Sequence, residues 1–302
     1  MDHSALERLG FRPGERVVIV HADDLGMCHA ANRAFWEDQA FGVVTCGSAM
    51  VPGPWVPELA AWCRAHPQAD VGVHITLTSE WEGCRWGPVS TRDPRSGLLD
   101  GEGYMWRSNA GVYAHMDVDA AVAEMRAQVE MALSLGIDVT HIDTHMGTVM
   151  HPQLAPAYVQ LALDYRIPVM LPRISEAHID RLTAEWGVDP QVGRALLSTV
   201  DALAASGFPL LDHICAARES GDALHRMDTY CRLFDAVLVG ITHLLLHPSV
   251  PGYDIEAVTA SASARIADYQ TFLRPELKAC VAEQGIHLIG YRRLRDLIRA
   301  AS

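Results

Sequence analysis

Several acidic and basic side chains in this sequence occur in the pattern of a hydrolytic metal site. Two adjacent aspartates, Asp23 and Asp24, follow an apolar run, and His74, His145 and His247 lie on or at the ends of later strand-like stretches. Two neutral imidazoles and one carboxylate, with positions left open for water, suit Zn²⁺ or Fe²⁺ better than Mg²⁺ or Mn²⁺. Such an ion acidifies a water molecule and polarises a carbonyl group. The residue types therefore predict metal-assisted hydrolysis.

The two adjacent aspartates predict a division of labour. Neighbouring residues of a strand point to opposite faces, so one carboxylate is expected to bind the metal and the other to act as a base. The residue types alone do not assign the two tasks. A turn followed by a helix N-cap is the alternative interpretation, because aspartate suits both positions.

The stretch around His141, Asp143 and His145 is expected to be a strand, because it is rich in Thr, Val and Ile. On a strand, His141 and His145 share a face but lie about 13 Å apart, so they cannot both bind one ion. His145 lies at the carboxyl end of this strand and is the predicted ligand. We expect His141 and Asp143 to support the ligands, contact the substrate or have a structural role.

The elements that must position these residues form an α/β pattern. Residues 17–20 are an apolar, mostly β-branched run typical of a buried parallel strand. About eight strands alternate with helices, which predicts a single deformed (β/α) barrel of seven or eight strands over 1–302 rather than an open sheet. The carboxyl ends of barrel strands converge, so Arg173, after the fifth predicted strand, is expected to join the aspartates and histidines. The predicted strands are 17–20, 43–50, 70–78, 139–147, 167–171, 208–214, 242–248 and 286–290.

A long insert at 79–116 interrupts the alternation of strands and helices. It contains Trp81, Trp86, Tyr104, Trp106 and Tyr113 among many Gly, Ser, Arg and Pro residues. Loops of this length in a compact domain are usually functional or disordered, and the aromatic residues argue against disorder. The insert is expected to form a lid, with its aromatic rings either stacking on sugar rings or anchoring it to the core.

Composition restricts the class of partner. The 302 residues carry a formal charge of −13 and show no basic stripe, which disfavours nucleic acid and anionic membrane surfaces. Seven widely spaced cysteines without a C-x-x-C motif disfavour a disulfide framework or thiolate zinc site. The sequence shows no signal peptide and no apolar run of membrane-spanning length, so we expect a cytoplasmic protein. A homodimer is plausible only on general grounds.

Four motifs give the sequence a specific resemblance. They are His21-Ala22-Asp23-Asp24-Leu25-Gly26, Gly72-Val73-His74-Ile75-Thr76-Leu77-Thr78, His141-Ile142-Asp143-Thr144-His145 and Leu245-Leu246-His247-Pro248. In this order the sequence resembles the YdjC-like (ChbG/HpnK) carbohydrate deacetylase family, which is distantly similar to the NodB-type polysaccharide deacetylases. The resemblance implies a deformed (β/α) barrel that uses one divalent ion, Zn²⁺ or Mg²⁺, to remove acetyl from an N-acetylated amino sugar.

The resemblance also implies roles for individual residues. Asp24, His74 and His145 match the metal ligands, and Asp23 matches the general base. His247 resembles the histidine that protonates the leaving amine. Arg173 resembles an arginine that orients the aspartate or the substrate.

The chain also departs from its relatives. Many relatives have further histidines after the third motif, where this chain reads Met146-Gly147-Thr148, and both the insert and the stretch 176–206 are larger than a minimal member needs. These departures leave the identity of the substrate open.

Two other functions are compatible with a barrel of this kind. A metal-dependent sugar isomerase or lyase would use similar ligands, but such enzymes usually have more carboxylates and a lysine near the metal. The sole lysine, Lys278, falls in a predicted late helix. A non-catalytic metal- or sugar-binding barrel would tolerate loss of Asp23 or His247, and both are present.

Overall fold

Seven parallel strands form the centre of the molecule. The computed structural model describes residues 4–175, 177, 179–180, 183–184, 189–217 and 225–300. All strand pairs within these residues are parallel. The strands are β1 (Arg16–Leu25), β2 (Cys46–Ala49), β3 (Val71–Ile75), β4 (Val139–Thr144), β5 (His213–Ala216), β6 (Gly240–Leu246) and β7 (Ile286–Leu288).

β1 lies in the middle of the sheet, whose order is β4-β3-β2-β1-β6-β5. β6 pairs with residues 16–22 of β1 along one edge. β2 pairs with β1 from His21 onwards, and β7 pairs with residues 16–18. A strand has only two edges, so β2 and β7 share the second one. Every residue of β1 after Arg16 is buried, because both faces of the strand are covered.

The segment 167–172 lies between the two outer strands of the sheet, β4 and β5, and forms single bridges towards both. Val169 forms an isolated bridge with Ile142 of β4, and Pro172 forms another with Leu211, just before β5. The Arg173 N–H donates to the Leu211 carbonyl at 2.7 Å. The predicted deformed α/β barrel is therefore confirmed as a parallel sheet with flanking helices, whose outer strands are linked by single bridges and not by a continuous ladder.

Helices cover the outside and one end of the barrel. On β1, Val18 and Val20 belong to the large core shared with the outer helices, whereas Val17 and Ile19 pack with the first and last helices. No helix among the described residues is long and apolar enough to cross a membrane. The helices are α1 (Ala5–Arg8), α2 (His29–Phe41), α3 (Val56–Ala65), α4 (Asn109–His115), α5 (Val118–Ser134), α6 (Ala155–Tyr165), α7 (Pro190–Ala205), α8 (Arg226–Asp235), α9 (Tyr253–Val258), α10 (Ala262–Phe272), α11 (Pro275–Glu283) and α12 (Tyr291–Ala300).

The predicted strands 43–50 and 70–78 are shorter in the structure, and three other strand predictions need adjustment. The strand predicted at 167–171 forms only the bridges described above, and the one predicted at 208–214 is displaced to His213–Ala216. The strand predicted to reach residue 147 ends at Thr144, because Met146 and Gly147 have positive φ angles within the 3-10 segment His145–Met150. The stretch 176–206, noted above for its length, lies partly outside the described residues, and its described part includes α7.

Candidate metal centre and active site

The predicted ligands meet at the carboxyl-terminal face of the barrel. Asp24 lies at the end of β1, His74 lies near the end of β3, and His145 directly follows β4. These three residues, hereafter the ligand trio, are buried, and one ligand atom of each lies within 4.8 Å of the others. His247 directly follows β6 at the same face.

The backbone at Asp24 brings both aspartates to this site. Asp24 has a φ angle of 62°, in the left-handed region that aspartate tolerates better than most residues. A regular strand would send Asp23 and Asp24 to opposite faces. The turn breaks that alternation, so an oxygen of Asp23 also lies within 4.8 Å of a ring nitrogen of His74. Gly26, at φ 86°, continues the turn, and a Cβ there would clash with the Val56 side chain.

The ligand atoms of the trio form a nearly equilateral triangle. Asp24 Oδ1 lies 3.4 Å from His74 Nε2 and 3.2 Å from His145 Nδ1, and the two nitrogens are 3.3 Å apart. Atoms that bind one Zn²⁺ tetrahedrally at about 2.0–2.1 Å are separated by about 3.3–3.4 Å. Asp24 Oδ1 is buried, and no hydrogen bond from the described part of the chain reaches it. Since buried acceptors are normally satisfied, the trio fits a divalent cation.

Each histidine of the trio is held by a carboxylate at its other ring nitrogen. His74 Nδ1 lies 2.7 Å from Asp143 Oδ2, and His145 Nε2 lies 2.9 Å from Glu80 Oε1. An ionised carboxylate only accepts, so these nitrogens carry the hydrogens in the neutral rings. The lone pairs of His74 Nε2 and His145 Nδ1 then point into the trio, as metal-binding histidines require.

The same carboxylates shift the pKa values of the two rings. Burial lowers the pKa of His145, but Glu80 and the trio aspartate outweigh burial and raise this pKa to about 9. Burial likewise lowers the pKa of His74, and Asp143 is the largest of the contributions that raise it well above its usual value. A cation that binds here must therefore displace protons.

Asp24 is held in its charged form by an arginine from α10. Arg265 Nη1 donates to Asp24 Oδ2 at 2.8 Å, and the Arg265 residue is only 4% exposed. Burial raises the pKa of Asp24, but the charge of Arg265 and contacts with the two trio histidines bring it well below its usual value. One carboxylate oxygen is thus fixed by Arg265, and the other faces the histidine nitrogens.

Asp23 lies between two histidines. Its Oδ1 lies 2.6 Å from His21 Nδ1, and its Oδ2 lies 3.8 Å from His247 Nε2. Burial raises the pKa of Asp23, but the hydrogen bond and charge of His21 bring it below its usual value. Asp23 is therefore ionised at neutral pH and can accept a proton on the oxygen that faces His247.

A second group of buried histidines, His21, His141 and His243, lies beneath the trio and is hereafter the inner histidine layer. His21 Nε2 lies 2.8 Å from His141 Nε2. The other ring nitrogen of His141, Nδ1, lies 2.9 Å from Thr140 Oγ1. His243 Nδ1 lies 2.9 Å from the Tyr291 hydroxyl. Burial lowers the pKa of His141 well below its usual value and that of His243 to about 3, so both rings are neutral.

The structure does not bring Arg173 to Asp23. Arg173 Nε lies 3.4 Å from Asp212 Oδ1, and its side chain is 41% exposed. His21 holds Asp23 instead. A role for Arg173 towards the substrate stays a prediction. Lys278 donates to the Phe41 carbonyl at 2.8 Å on the exposed side of a helix, where it cannot serve the trio.

Three residues that contact the site were not assigned a role from the sequence. His21 belongs to the first motif, and Glu80 closely follows the third strand, so their positions offered a weak signal. Arg265 is 241 residues from Asp24 along the chain. No local pattern could connect Arg265 to the site.

Known proteins resemble this chain over most of its length. The model of the family described as YdjC-like protein matches residues 17–283. A carbohydrate deacetylase of Thermus thermophilus is 32% identical, and the alignment covers 97% of this chain and 98% of the relative. A chitooligosaccharide deacetylase of Proteus mirabilis is 25% identical, with coverage of 92% and 98%.

A crystal structure from Enterococcus faecalis shares the fold. Its protein, provisionally named for cellobiose-phosphate cleavage, is 22% identical and superposes with a TM-score of 0.74. The match covers 93% of this chain and 99% of the other. The family match extends over most of the sequence, from β1 to α11. The chain therefore belongs to the YdjC-like protein family.

Proposed function

We propose that this protein is a metal-dependent hydrolase that removes the acetyl group from an N-acetylated amino sugar or oligosaccharide. The observation that carries the proposal is the ligand trio, with its unsatisfied Asp24 Oδ1, directly beside Asp23 and His247. The names of two relatives, carbohydrate deacetylase and chitooligosaccharide deacetylase, support the substrate class.

Asp24, His74 and His145 would hold one divalent ion, Zn²⁺ or Mg²⁺. Two nitrogen ligands and one oxygen favour Zn²⁺ by ligand softness. When bound, such an ion polarises an amide carbonyl and lowers the pKa of water. The remaining steps belong to residues of the chain.

Asp23 and His247 supply the two proton transfers of the proposed reaction. Asp23 accepts a proton from the attacking water as the new carbon–oxygen bond forms, while His21 fixes its other oxygen. His247 donates a proton to the amide nitrogen as the carbon–nitrogen bond breaks. The products are acetate and the free amine of the sugar.

The experiment combines metal analysis with acetate release. The purified protein is assayed on N-acetylglucosamine and diacetylchitobiose, before and after chelation, and again after addition of Zn²⁺ or Mg²⁺. We expect one bound ion and acetate release that a chelator abolishes and the ion restores. Metal without acetate from either compound would discard these two substrates, and isomerised sugar without acetate would favour the isomerase class. A protein that binds no divalent ion would overturn the proposed centre.

A further inference from the structure

The insert at 79–116 reaches the ligand trio through Glu80. Glu80 Oε1 lies 2.9 Å from His145 Nε2, and the Glu80 side chain is 19% exposed. The second oxygen of Glu80 is buried, and no hydrogen bond from the described residues reaches it. The carboxylate is therefore directed at His145 instead of being shared with other donors of the barrel.

This contact determines which nitrogen of His145 is available to a cation. A neutral imidazole carries one hydrogen, and the acceptor at Glu80 keeps that hydrogen on Nε2. His145 Nδ1 then presents its lone pair 3.2 Å from Asp24 Oδ1. Without Glu80, the hydrogen could move to Nδ1, and a ring in that tautomer could not bind the ion through the nitrogen that faces the trio.

The insert holds the backbone near Glu80 in place. The Ser79 N–H donates to the Trp106 carbonyl at 2.8 Å, and the indole N–H of Trp86 donates to the Thr78 carbonyl at 2.9 Å. Arg85 Nη2 lies 2.7 Å from both an Asp100 oxygen and the Met105 carbonyl, which ties two parts of the insert together. Glu80 is thus presented from a fixed segment.

We propose that Glu80 is a positioning residue of the metal centre, which fixes the tautomer and orientation of His145, so that the insert contributes to cation affinity. This inference rests on the metal centre of the proposed function. It differs from a lid, because a lid would cover the substrate without changing the affinity of the metal-free protein for an ion.

The test measures metal affinity of the metal-free protein directly. The protein is titrated with Co²⁺, followed by visible absorption, and with Zn²⁺ in competition with a chromophoric chelator. For Glu80→Ala we expect the Kd to rise by about 10- to 100-fold, the usual effect of removing such a supporting group. Glu80→Gln keeps an acceptor oxygen next to His145, so its Kd should rise less, by under about tenfold.

The exposed Glu82, two residues along the insert, provides the matched control. Glu82→Ala should change the Kd by no more than about twofold, as for other surface substitutions. Thermal unfolding of each metal-free variant verifies that it folds.

The possible outcomes separate the inference from the proposed function. Wild-type protein that binds neither ion would overturn the metal centre and this inference with it. If wild type binds and Glu80→Ala binds equally well, only the inference is wrong. Equal losses of metal affinity in Glu80→Ala and Glu80→Gln would show that the charge of Glu80 matters and not its position as a hydrogen-bond acceptor. That result would also overturn the inference.

Discussion

The ligand trio and the inner histidine layer lie in the same barrel interior, yet their histidines have different partners. In the trio, His74 and His145 each face a carboxylate at one nitrogen and Asp24 at the other. In the inner layer, His141 contacts a histidine and a threonine, and His243 contacts a tyrosine. His21 has one carboxylate partner, Asp23 at its Nδ1, and a histidine at its Nε2. A carboxylate oxygen within 3.4 Å of both ring nitrogens, and not the number of histidines, thus distinguishes the trio histidines from those of the inner layer.

The two layers should respond to pH in opposite directions. In the metal-free protein the pKa of His145 is about 9, above its usual 6.5, so its contribution to stability is present below about pH 6.5 and lost as pH rises towards 9. The pKa of His243 is about 3, so the unfolded state binds more protons between about pH 3 and 6.5. Its effect is therefore a loss of stability as pH falls through that range.

Removal of a trio histidine should have the largest effect. His74→Ala deletes one of three ligands, so the Kd for Zn²⁺ should rise by more than the about 100-fold expected for loss of a supporting group. Acetate release should fall to background. Chelator competition measures the affinity. Near-normal affinity would show that the trio is not the metal site.

Asp23→Asn should separate binding from turnover. Asparagine cannot take a proton from water, so kcat should fall towards the upper end of the range for one acid–base group, about 10⁴-fold. The metal Kd should stay close to wild type, because Asp23 is not a member of the trio. Loss of metal together with activity would instead indicate that Asp23 is the metal ligand and Asp24 the base.

His247→Ala should have a smaller effect on turnover than Asp23→Asn. A general acid typically contributes about 10²- to 10⁴-fold, and water can partly replace it because the His247 side chain is 21% exposed. The loss should appear in kcat with metal affinity unchanged. A change confined to KM would assign His247 to substrate binding instead of proton transfer.

Metal binding to the trio should release protons. The pKa of His145 is about 9, so at pH 7 this ring carries an extra proton that the ion must displace, and the neighbouring carboxylates raise the pKa of His74 in the same direction. We expect release of about one proton per ion or more, and an affinity that rises at least about tenfold per pH unit near neutrality. Calorimetry in buffers of different ionisation enthalpy counts these protons. Release close to zero would mean that the rings are neutral before binding.

Local patterns predicted the barrel and placed the trio histidines at strand ends, whereas the choice of Asp24 over Asp23 as a ligand came only from the family resemblance. His74 and His145 lie at the ends of strand-like runs, and those ends meet wherever such strands are parallel. The left-handed turn at Asp24 has no comparable signature, so the shared orientation of the two aspartates was missed. The contacts of Arg265 and Glu80 depend on how a late helix and the insert pack against the barrel.

A substitution in the inner histidine layer should have the smallest effect on the metal. His243→Phe should leave the Zn²⁺ Kd within about twofold, because His243 is not a member of the trio. It leaves the buried Tyr291 hydroxyl without its partner, which should cost about 1–3 kcal/mol of unfolding free energy.

The double variant of His243 and Tyr291 tests whether the inner layer is only structural. Since Tyr291→Phe removes the other partner, His243→Phe combined with Tyr291→Phe should recover part of the loss in denaturant unfolding. The double variant should also lose less stability between about pH 6.5 and 3 than wild type, because a buried neutral imidazole has been removed. A large fall in metal affinity in either variant would instead show that the inner layer affects metal binding by the trio. Carboxylate partners would then not be enough to explain which histidines bind the ion.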